Sequence, residues 1–241
     1  MKETKVQLFS GGFDSILQEW LIRPDILLYV DMKTSYSERE LEALDRLPQR
    51  YRRRLIIKEL PLGEYERENK YLPYRNLILG TIAMEYGQHV YFGFNRTDDA
   101  PDKDNVFLGR MTRLFDHLNV NCEGDMGWST GNFSFSAPFK NLTKTQMLRM
   151  CLKSGMPVDL VRSIRSCYDG ESQIGCGVCP VCMHKATALI NNGISVEGIF
   201  DHPITVETFE KRLEYVSQID CHPSIVTDTR KALEVLRKQQ K

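Results

Sequence analysis

Two stretches of the sequence combine residue types and spacings that can bind phosphate or metal, and the first is Ser10–Ser15 (Ser-Gly-Gly-Phe-Asp-Ser). It follows a strand candidate, Val6–Phe9, and leads into a helix candidate, Ile16–Ile22. A tight turn before a helix presents unpaired backbone N–H groups and the positive end of the helix dipole, and both attract anions. The glycines allow close approach to a phosphate, and the serines add hydroxyl donors. The stretch therefore predicts a phosphate-binding corner.

Asp14 is the unusual residue of this corner, because a carboxylate repels phosphate. It is explained by a bound Mg²⁺, or by a role as an acceptor that orders the loop. The P-loop pattern and the dinucleotide-binding glycine pattern are both absent. The alternative is a strand-to-helix turn with an Asp or Ser cap and no ligand. The stretch resembles the SGGxDS signature of the PP-loop ATP pyrophosphatases, which implies cleavage of ATP between its α- and β-phosphates.

The second stretch holds four of the seven cysteines, Cys167, Cys176, Cys179 and Cys182, in the spacing C-x8-C-x2-C-x2-C. A glycine and a proline inside the two C-x-x-C steps favour tight turns, which let the thiolates converge on one ion. Four thiolates suit a structural Zn²⁺, and an iron–sulfur cluster is the competing interpretation. Free thiols or disulfides would leave the spacing unexplained, and ordinary buried cysteines are the remaining alternative.

The residues around this cluster have simpler interpretations. Cys122, Cys151 and Cys221 have no comparable partners in the sequence and are expected to be core or surface thiols. His184 follows Cys182 closely, but four thiolates already complete a tetrahedral shell, so it is expected at the surface. A closed shell also leaves no position for water, which favours a structural metal over a catalytic one.

Strand and helix candidates alternate along the first two thirds of the chain. The strand candidates are residues 6–9, 26–30, 55–60 and 89–94, with a short extended piece at 136–139, and the helix candidates are 16–22, 37–54, 77–84 and 106–118. This alternation predicts an α/β fold with a parallel sheet and helices on both faces. Ligands bind such sheets at the carboxyl ends of the strands, where Ser10–Ser15 lies.

The last third of the chain is predicted to be helical. Thr143 and Gln146 have capping-box spacing before a helix that Gly155 and Pro157 end. The segment 204–241 favours two charged helices. We therefore predict a nucleotide-binding domain over residues 1–160 and a helical zinc-binding region over residues 161–241.

The composition favours small-molecule chemistry. The 241 residues include 32 basic and 32 acidic side chains, which gives no sign of a nucleic-acid or membrane-binding surface. No run is long enough to cross a membrane, and no signal peptide is recognised at the N-terminus. Cysteines clustered as metal ligands are typical of a reducing compartment, so the expected location is the cytoplasm.

Several further segments match the order of motifs in one PP-loop family. They are Pro73–Asn76, Gly93–Asp98, Ala137–Phe139, Leu142–Lys144 and Gly175–Cys182. Together with the N-terminal loop, they resemble the QueC family of 7-cyano-7-deazaguanine (preQ0) synthases over roughly residues 5 to 195.

The resemblance implies a Rossmann-like fold of the adenine nucleotide alpha hydrolase type and a role in queuosine biosynthesis. The implied reaction converts 7-carboxy-7-deazaguanine and ammonia to 7-cyano-7-deazaguanine through an adenylated carboxylate and an amide. The implied cofactors are ATP, Mg²⁺ and Zn²⁺. The implied partners are these small molecules, with no direct nucleic-acid or membrane contact, and a homodimer is a family expectation.

The resemblance also assigns roles to individual residues. Asp14 would bind Mg²⁺ beside a nucleotide held by Leu8, Phe9, Ser10, Gly11, Gly12, Phe13, Ser15, Ile16, Leu17 and Gln18. Catalysis would also use Arg75 and Lys144, and the substrate would be held by Arg75, Asn76, Asp98 and Asp104. The alternatives are a solvent-facing Arg75, a solvated acidic loop for the two aspartates and an exposed first helical turn for Lys144.

One segment departs from the family. Where the family shows Tyr-Gly-Gln-Arg-His followed by a Glu, this chain has Asp31–Glu38, with Tyr36 near the position of the His. The departure bears on the identity of the acid substrate more than on the reaction with ATP. It leaves open a QueC-like ligase that acts on another carboxylate or on a protein. The balanced charge disfavours tRNA thiolation or lysidine formation, and Asp14 disfavours a non-catalytic zinc-binding module.

Overall fold

The sheet has five parallel strands, built from short runs of mostly apolar residues. The computed structural model describes residues 3–98, 100–121, 133–167, 172 and 174–239. The strands are β1 (Lys5–Leu8), β2 (Ile26–Asp31), β3 (Leu55–Glu59), β4 (His89–Tyr91) and β5 (Ser134–Ser136). They lie in the order β3-β2-β1-β4-β5, and every neighbouring pair is parallel. The predicted α/β fold with a parallel sheet is confirmed.

The central strand β1 marks the point where the strand order reverses. Val6 pairs with Ile26 of β2 on one side and with Val90 of β4 on the other. Parallel sheets bind ligands at the carboxyl edge beside such a point. Phe9 extends the pairing beyond β1, because its N–H donates to the Leu28 carbonyl at 2.8 Å. Ser10 therefore begins the glycine loop at the edge of the sheet where a ligand is expected.

Ten helices and one short 3₁₀ turn (Gly63–Tyr65) lie in the described part of the chain. The helices are α1 (Phe13–Ile22), α2 (Ser37–Asp45), α3 (Gln49–Arg52), α4 (Arg75–Ala83), α5 (Asn105–Asn121), α6 (Lys144–Lys153), α7 (Val158–Ser163), α8 (Pro180–Ile190), α9 (Val206–Gln218) and α10 (Pro223–Gln239). Helices α9 and α10 confirm the two predicted tail helices. Within the described ranges, no helix has the length and apolar character needed to span a membrane.

Several predicted elements differ in extent from the observed ones; α1 begins at Phe13 rather than at Ile16, and α5 ends at Asn121 rather than at residue 118. The helix predicted over 37–54 is divided, because Pro48 adopts extended backbone (ψ 148°), lacks an N–H donor and disfavours helical geometry in the residue before it. The extended piece predicted at 136–139 is a strand that ends at Ser136, and Pro138, which cannot donate to a sheet, lies in the turn that follows. Strand β4 ends at Tyr91 rather than at residue 94, although the Phe92 N–H still donates to the Ser136 carbonyl at 2.9 Å.

The chain divides into two compact units. The first comprises residues 1–10, 22–94 and 98–140, and the second comprises residues 11–21, 95–97 and 141–241. The first unit holds the sheet, and its core packs side chains of β1, β2 and β4 with those of α4 and α5. In the second unit, α8 packs against α6 and α10, around a core that includes Met183, Phe209 and Leu233. The boundary predicted at residue 160 stays a prediction.

Helix α6 has the start and the end that the sequence predicts. Thr143 accepts a hydrogen bond from the N–H of Gln146, whose side chain accepts from the Thr143 N–H, so the capping box is confirmed. At the other end, Gly155 adopts a φ of +86°. This turn lets the N–H of Met156 reach the Cys151 carbonyl at 2.9 Å. The left-handed backbone at Gly155 therefore closes the helix that presents Lys144.

We predict that Gly155→Ala lowers the free energy of unfolding by about 1 kcal/mol, because an alanine side chain is strained in left-handed backbone. No heavy atom lies within 4 Å of the position that a Cβ would take, so backbone strain acts alone. The matched control is Gly109→Ala, inside α5, where a Cβ also meets nothing within 4 Å. It should stabilise the protein by about 0.5–1 kcal/mol, since alanine favours helix. Urea denaturation measures both changes, and shifts of the same sign would contradict the prediction.

Candidate functional site

The glycine loop after β1 is closed by bonds to a single carbonyl. The Gly12 carbonyl accepts from the N–H of Ile16 at 3.1 Å and from the Ser15 hydroxyl at 3.0 Å. Gly11 has a φ of +71°, which glycine adopts without strain. The chain thus turns directly from the strand into the first turn of α1, whose N–H groups have no partners within the helix.

Asp14, in that first turn, forms an ion pair with Lys144. Lys144 Nζ lies 2.6 Å from Asp14 Oδ2, and the two side chains are only 15% and 25% exposed. Asn95, which follows β4 in the chain, donates from Nδ2 to the same oxygen at 3.5 Å. The Asn95 side chain is itself fixed, since its Oδ1 accepts from the N–H of Thr97 at 2.9 Å. Residues from three distant parts of the sequence therefore meet at one carboxylate.

Arg75 and Asn76 begin helix α4, and both side chains have partners. Arg75 donates from Nη1 to the hydroxyl of Tyr36 at 2.8 Å. Asn76 is 4% exposed, and its Nδ2 donates to the Asp102 carboxylate at 2.8 Å. Arg75 is partly buried, so a purely solvent-facing side chain does not describe it. Tyr36, which stands near the position of the family's histidine, thus contacts a candidate substrate-binding residue.

Asp98 and Asp104 each have a partner in their own segment. Asp98 accepts from Lys103 Nζ at 3.0 Å, and its carbonyl accepts from Lys140 Nζ. Asp104 accepts from the N–H of Phe107 at 2.7 Å, which caps the start of α5. Helix capping accounts for an aspartate at position 104 without any ligand.

The four clustered cysteines converge on one point. All four Sγ atoms lie within 4.8 Å of one another. Cys167 and Cys179 are 3.8 Å apart, and Cys176 and Cys182 are 4.0 Å apart. A tetrahedral ion with metal–sulfur bonds of about 2.3 Å places its sulfurs about 3.8 Å apart. In a four-iron cluster each thiolate binds a different iron, which separates the sulfurs further. The geometry suits a single ion.

Hydrogen bonds to the Cys179 sulfur favour its thiolate form, whereas the same contact raises the pKa of its partner Cys182. The N–H of Cys179 donates to the Cys176 sulfur at 3.3 Å, and the N–H of Cys182 donates to the Cys179 sulfur at 3.5 Å. The side chain of Cys182 also donates to Cys179 and, more than any other contact, lowers the pKa of Cys179 to about 5. Outside the cluster, Cys151 is buried as expected of a core thiol, and Cys221 is partly exposed. Cys122 lies outside the described residues, and His184 is partly exposed, as predicted.

Four residues of interest were missed from the sequence. Asn95 could have been found, because it follows a strand at the carboxyl edge of the sheet. Lys185 is fully buried, and its Nζ donates to the carbonyls of Arg162 and Ile164, so it fixes the segment that leads to Cys167. Burial lowers the pKa of Lys185 to about 7. The other two, Tyr29 and Glu40, bond to each other at 2.9 Å. Nothing in the local sequence distinguishes Glu40 from an ordinary helix-surface glutamate.

The parallel sheet, the reversal of strand order at β1 and the Ser-Gly-Gly-Phe-Asp-Ser loop after it define a nucleotide-binding protein of the PP-loop class. Residues 51–193 match the family described as "Queuosine biosynthesis protein QueC". The chain belongs to the QueC family, as its motif order indicated.

Curated relatives carry the name 7-cyano-7-deazaguanine synthase. The Porphyromonas gingivalis protein is 27% identical over 215 residues, which cover 77% of this chain and 91% of the relative. The Marinobacter nauticus protein is 25% identical over 226 residues, covering 81% of this chain and 96% of the relative. The Magnetococcus marinus protein is 29% identical over 141 residues, and there the match spans 55% of this chain and only 58% of the relative. These names identify the relatives as synthases.

We predict that the purified protein holds about one metal ion per chain and that Cys179→Ser reduces this to less than half, because three thiolates hold an ion less tightly than four. Metal analysis by mass spectrometry measures the content. Removing the metal with a chelator should lower the melting temperature by about 5 °C or more, since a structural metal contributes to folding.

Cys221→Ser is the matched control for this experiment. The Cys221 thiol donates to the Val216 carbonyl at 3.3 Å and is not one of the four clustered cysteines, so its loss should leave the metal content unchanged. Full metal content in Cys179→Ser would refute the assignment of this ligand. Visible iron–sulfur absorbance would refute a single-ion site.

Proposed function

We propose that the chain is an ATP-dependent carbon–nitrogen ligase that converts 7-carboxy-7-deazaguanine and ammonia to 7-cyano-7-deazaguanine. Membership of the QueC family and the names of the curated relatives support this proposal. The observation that carries it is the ion pair between Asp14, at the start of α1, and Lys144, at the start of α6. This pair joins a carboxylate that suits Mg²⁺ to an ammonium that suits phosphate.

The reaction needs two activations, because a carboxylate has no good leaving group. Attack of the acid on the α-phosphorus of ATP forms an acyl-adenylate and releases pyrophosphate. Ammonia then displaces AMP and gives the amide, with loss of one proton. A second ATP activates the amide oxygen in the same way and releases a second pyrophosphate, and loss of AMP and the two amide protons leaves the nitrile. Such chemistry depends mainly on positioning and on neutralising charge at phosphorus.

In this proposal the nucleotide is held by the glycine loop. The N–H groups of Gly11, Gly12 and the first turn of α1 bind the β- and γ-phosphates, which leave together as pyrophosphate. Asp14 would hold Mg²⁺, which would supply positive charge beside the phosphates. Lys144 would contact a phosphate oxygen instead of Asp14. Asn95 would keep the Asp14 carboxylate oriented while Lys144 exchanges Asp14 for the phosphate.

The acid is proposed to bind through Arg75, whose planar guanidinium matches a carboxylate. Asn76 and Asp98 are the proposed contacts for the polar edge of the deazaguanine. Asp104 remains a weaker candidate for the same edge, because its carboxylate caps α5.

The proposed metal of the cysteine cluster is Zn²⁺ in a structural role. The sulfur–sulfur distances of 3.8 and 4.0 Å fit a closed tetrahedron of thiolates. Cys167, Cys176, Cys179 and Cys182 would complete the shell, so the ion would hold the cysteine segment on α8 and take no part in bond making.

A second candidate is an amide-forming ligase of the same class that acts on another carboxylate. The observation in its favour is the bond between Tyr36 and Arg75, because Tyr36 stands where the family places basic residues. Such an enzyme would release AMP and pyrophosphate with a different acid, and it would stop at the amide.

We predict that Asp14→Asn lowers kcat/KM for pyrophosphate release by about 10²-fold or more, because the neutral amide no longer binds Mg²⁺ or orients Lys144. Lys144→Met should lose a similar factor, whereas Lys144→Arg keeps the charge and should retain part of the activity. The assay contains ATP, Mg²⁺, ammonium and 7-carboxy-7-deazaguanine, with AMP and pyrophosphate measured by coupled enzymes and the nitrile by mass spectrometry.

The matched control is Asp159→Asn, an exposed aspartate in the first turn of α7, which should behave as the parent. Parental pyrophosphate release by Asp14→Asn would overturn the nucleotide site. An amide product with no nitrile, or turnover only with another acid, would support the second candidate instead.

A further inference from the structure

A cluster of four polar side chains lies in the first unit, with Tyr29 from β2, Tyr36 from the segment after it, Glu40 from α2 and Arg75 from α4. Arg75 donates to the Tyr36 hydroxyl at 2.8 Å, and Tyr29 donates from its hydroxyl to Glu40 Oε2 at 2.9 Å. Arg75 lies close enough to Glu40 for its charge to lower the pKa of that carboxyl. Arg75 and Glu40 thus lie within electrostatic range of each other, and each is hydrogen-bonded to a tyrosine.

Glu40 is surrounded by groups that act on its charge in opposite directions. The titratable groups that face it are Tyr29 and Asp31 from β2 and Arg75 from α4. Desolvation of Glu40 is the largest effect, and it raises the pKa, as does the Asp31 carboxylate. The hydrogen bond from Tyr29 and the positive charge of Arg75 lower the pKa by less. The net result is a pKa of about 7 for Glu40. Asp31 itself stays ionised, because hydrogen bonds from Lys33 outweigh its own burial and lower its pKa. Glu40 therefore exchanges its proton near neutral pH, while Asp31 keeps its negative charge.

We propose that the carboxylate of the acid substrate replaces Glu40 as the counter-ion of Arg75, and that Glu40 is a positioning residue which takes up one proton when the acid binds. A guanidinium has five N–H donors in a fixed plane, so it can keep the bond to Tyr36 and also present a fork to a carboxylate. Two carboxylates beside one guanidinium repel each other, and protonation of Glu40 removes this repulsion.

The sign of the pH effect follows from linkage. Below pH 7 Glu40 is already protonated, so binding of the acid takes up no proton and its affinity is constant. Above pH 7 Glu40 is ionised in the free protein and must take up a proton, so the affinity falls by up to about tenfold for each pH unit. Glu40→Gln mimics the protonated form, and its affinity should stay high and independent of pH.

This inference rests on the proposed function, because it needs the acid as a ligand. The test is calorimetric titration of the full chain with 7-carboxy-7-deazaguanine between pH 6 and 8.5, with Mg²⁺ and α,β-methylene-ATP present to prevent turnover. Each titration is repeated in two buffers of different ionisation enthalpy, which counts the protons taken up. Any proton that the acid substrate itself gains or loses on binding is the same for every variant, so it is subtracted from the measured proton uptake.

For the parent we expect close to one proton taken up at pH 8 and a dissociation constant that rises above pH 7. Glu40→Gln should abolish both effects. Glu38→Gln, an exposed residue of the same helix, is the matched control and should keep the parental profile. Tyr29→Phe removes a donor that stabilises the charged form of Glu40, so the midpoint of its affinity profile should move to higher pH. That shift tests the proposal even if Glu40→Gln folds poorly.

The outcomes separate the inference from the function. If the parent binds the acid without proton uptake, or if Glu40→Gln keeps the parental uptake, the role of Glu40 is wrong and the ligase function stands. If the parent neither binds the acid nor forms AMP from ATP with it, the proposed function fails and the role of Glu40 fails with it.

Discussion

The ion pair between Asp14 and Lys144 is the interaction on which the candidate nucleotide site depends. It joins the first turns of α1 and α6, which are 130 residues apart in sequence. Asp14 is favoured by the positive end of its helix dipole, whereas Lys144 at the same end of α6 is disfavoured. The pair offsets that cost and keeps a cation and an anion beside the glycine loop. Phosphate and Mg²⁺ are the ligands that would each take one partner of such a pair.

The cysteine cluster follows a different physical logic, because most of its geometry is local. Three of the four sulfurs come from seven consecutive residues, Cys176–Cys182, and backbone N–H groups within that turn donate to sulfur. Only Cys167 comes from further away, and buried Lys185 holds the segment before it by bonds to two carbonyls. The cluster and Lys185 together fix one end of α8, around which the second unit packs.

The segment after β2 departs from the family pattern, and the structure shows a different contact with Arg75 there. Tyr36 offers no positive charge, yet its hydroxyl positions the guanidinium of Arg75. Glu40, one turn further along α2, brings a carboxylate to the same arginine. If an acid binds at Arg75, its affinity depends on the charge of Glu40 as well as on the arginine. Specificity for the acid is therefore proposed to depend on Arg75, Tyr36 and Glu40 together rather than on one basic residue.

The sequence by itself determined the features whose partners lie within a few residues. These are the glycine turn into α1, the capping box of α6, the metal-binding spacing of the cysteines and, through the alternation of strands and helices, the parallel α/β class. The break at Pro48 was also readable from the chain, since proline interrupts a helix locally, although it was missed.

Only the tertiary structure decided which of these elements meet. It paired Asp14 with Lys144, placed Asn95 beside them, joined Tyr36 to Arg75 and raised the pKa of Glu40 to about 7. The physical reason is that ion pairing and desolvation depend on distances between segments remote in sequence, and these distances are set by strand order and packing. A local pattern carries no information about such distances, so Glu40 and a solvent-facing glutamate are indistinguishable until the chain is folded.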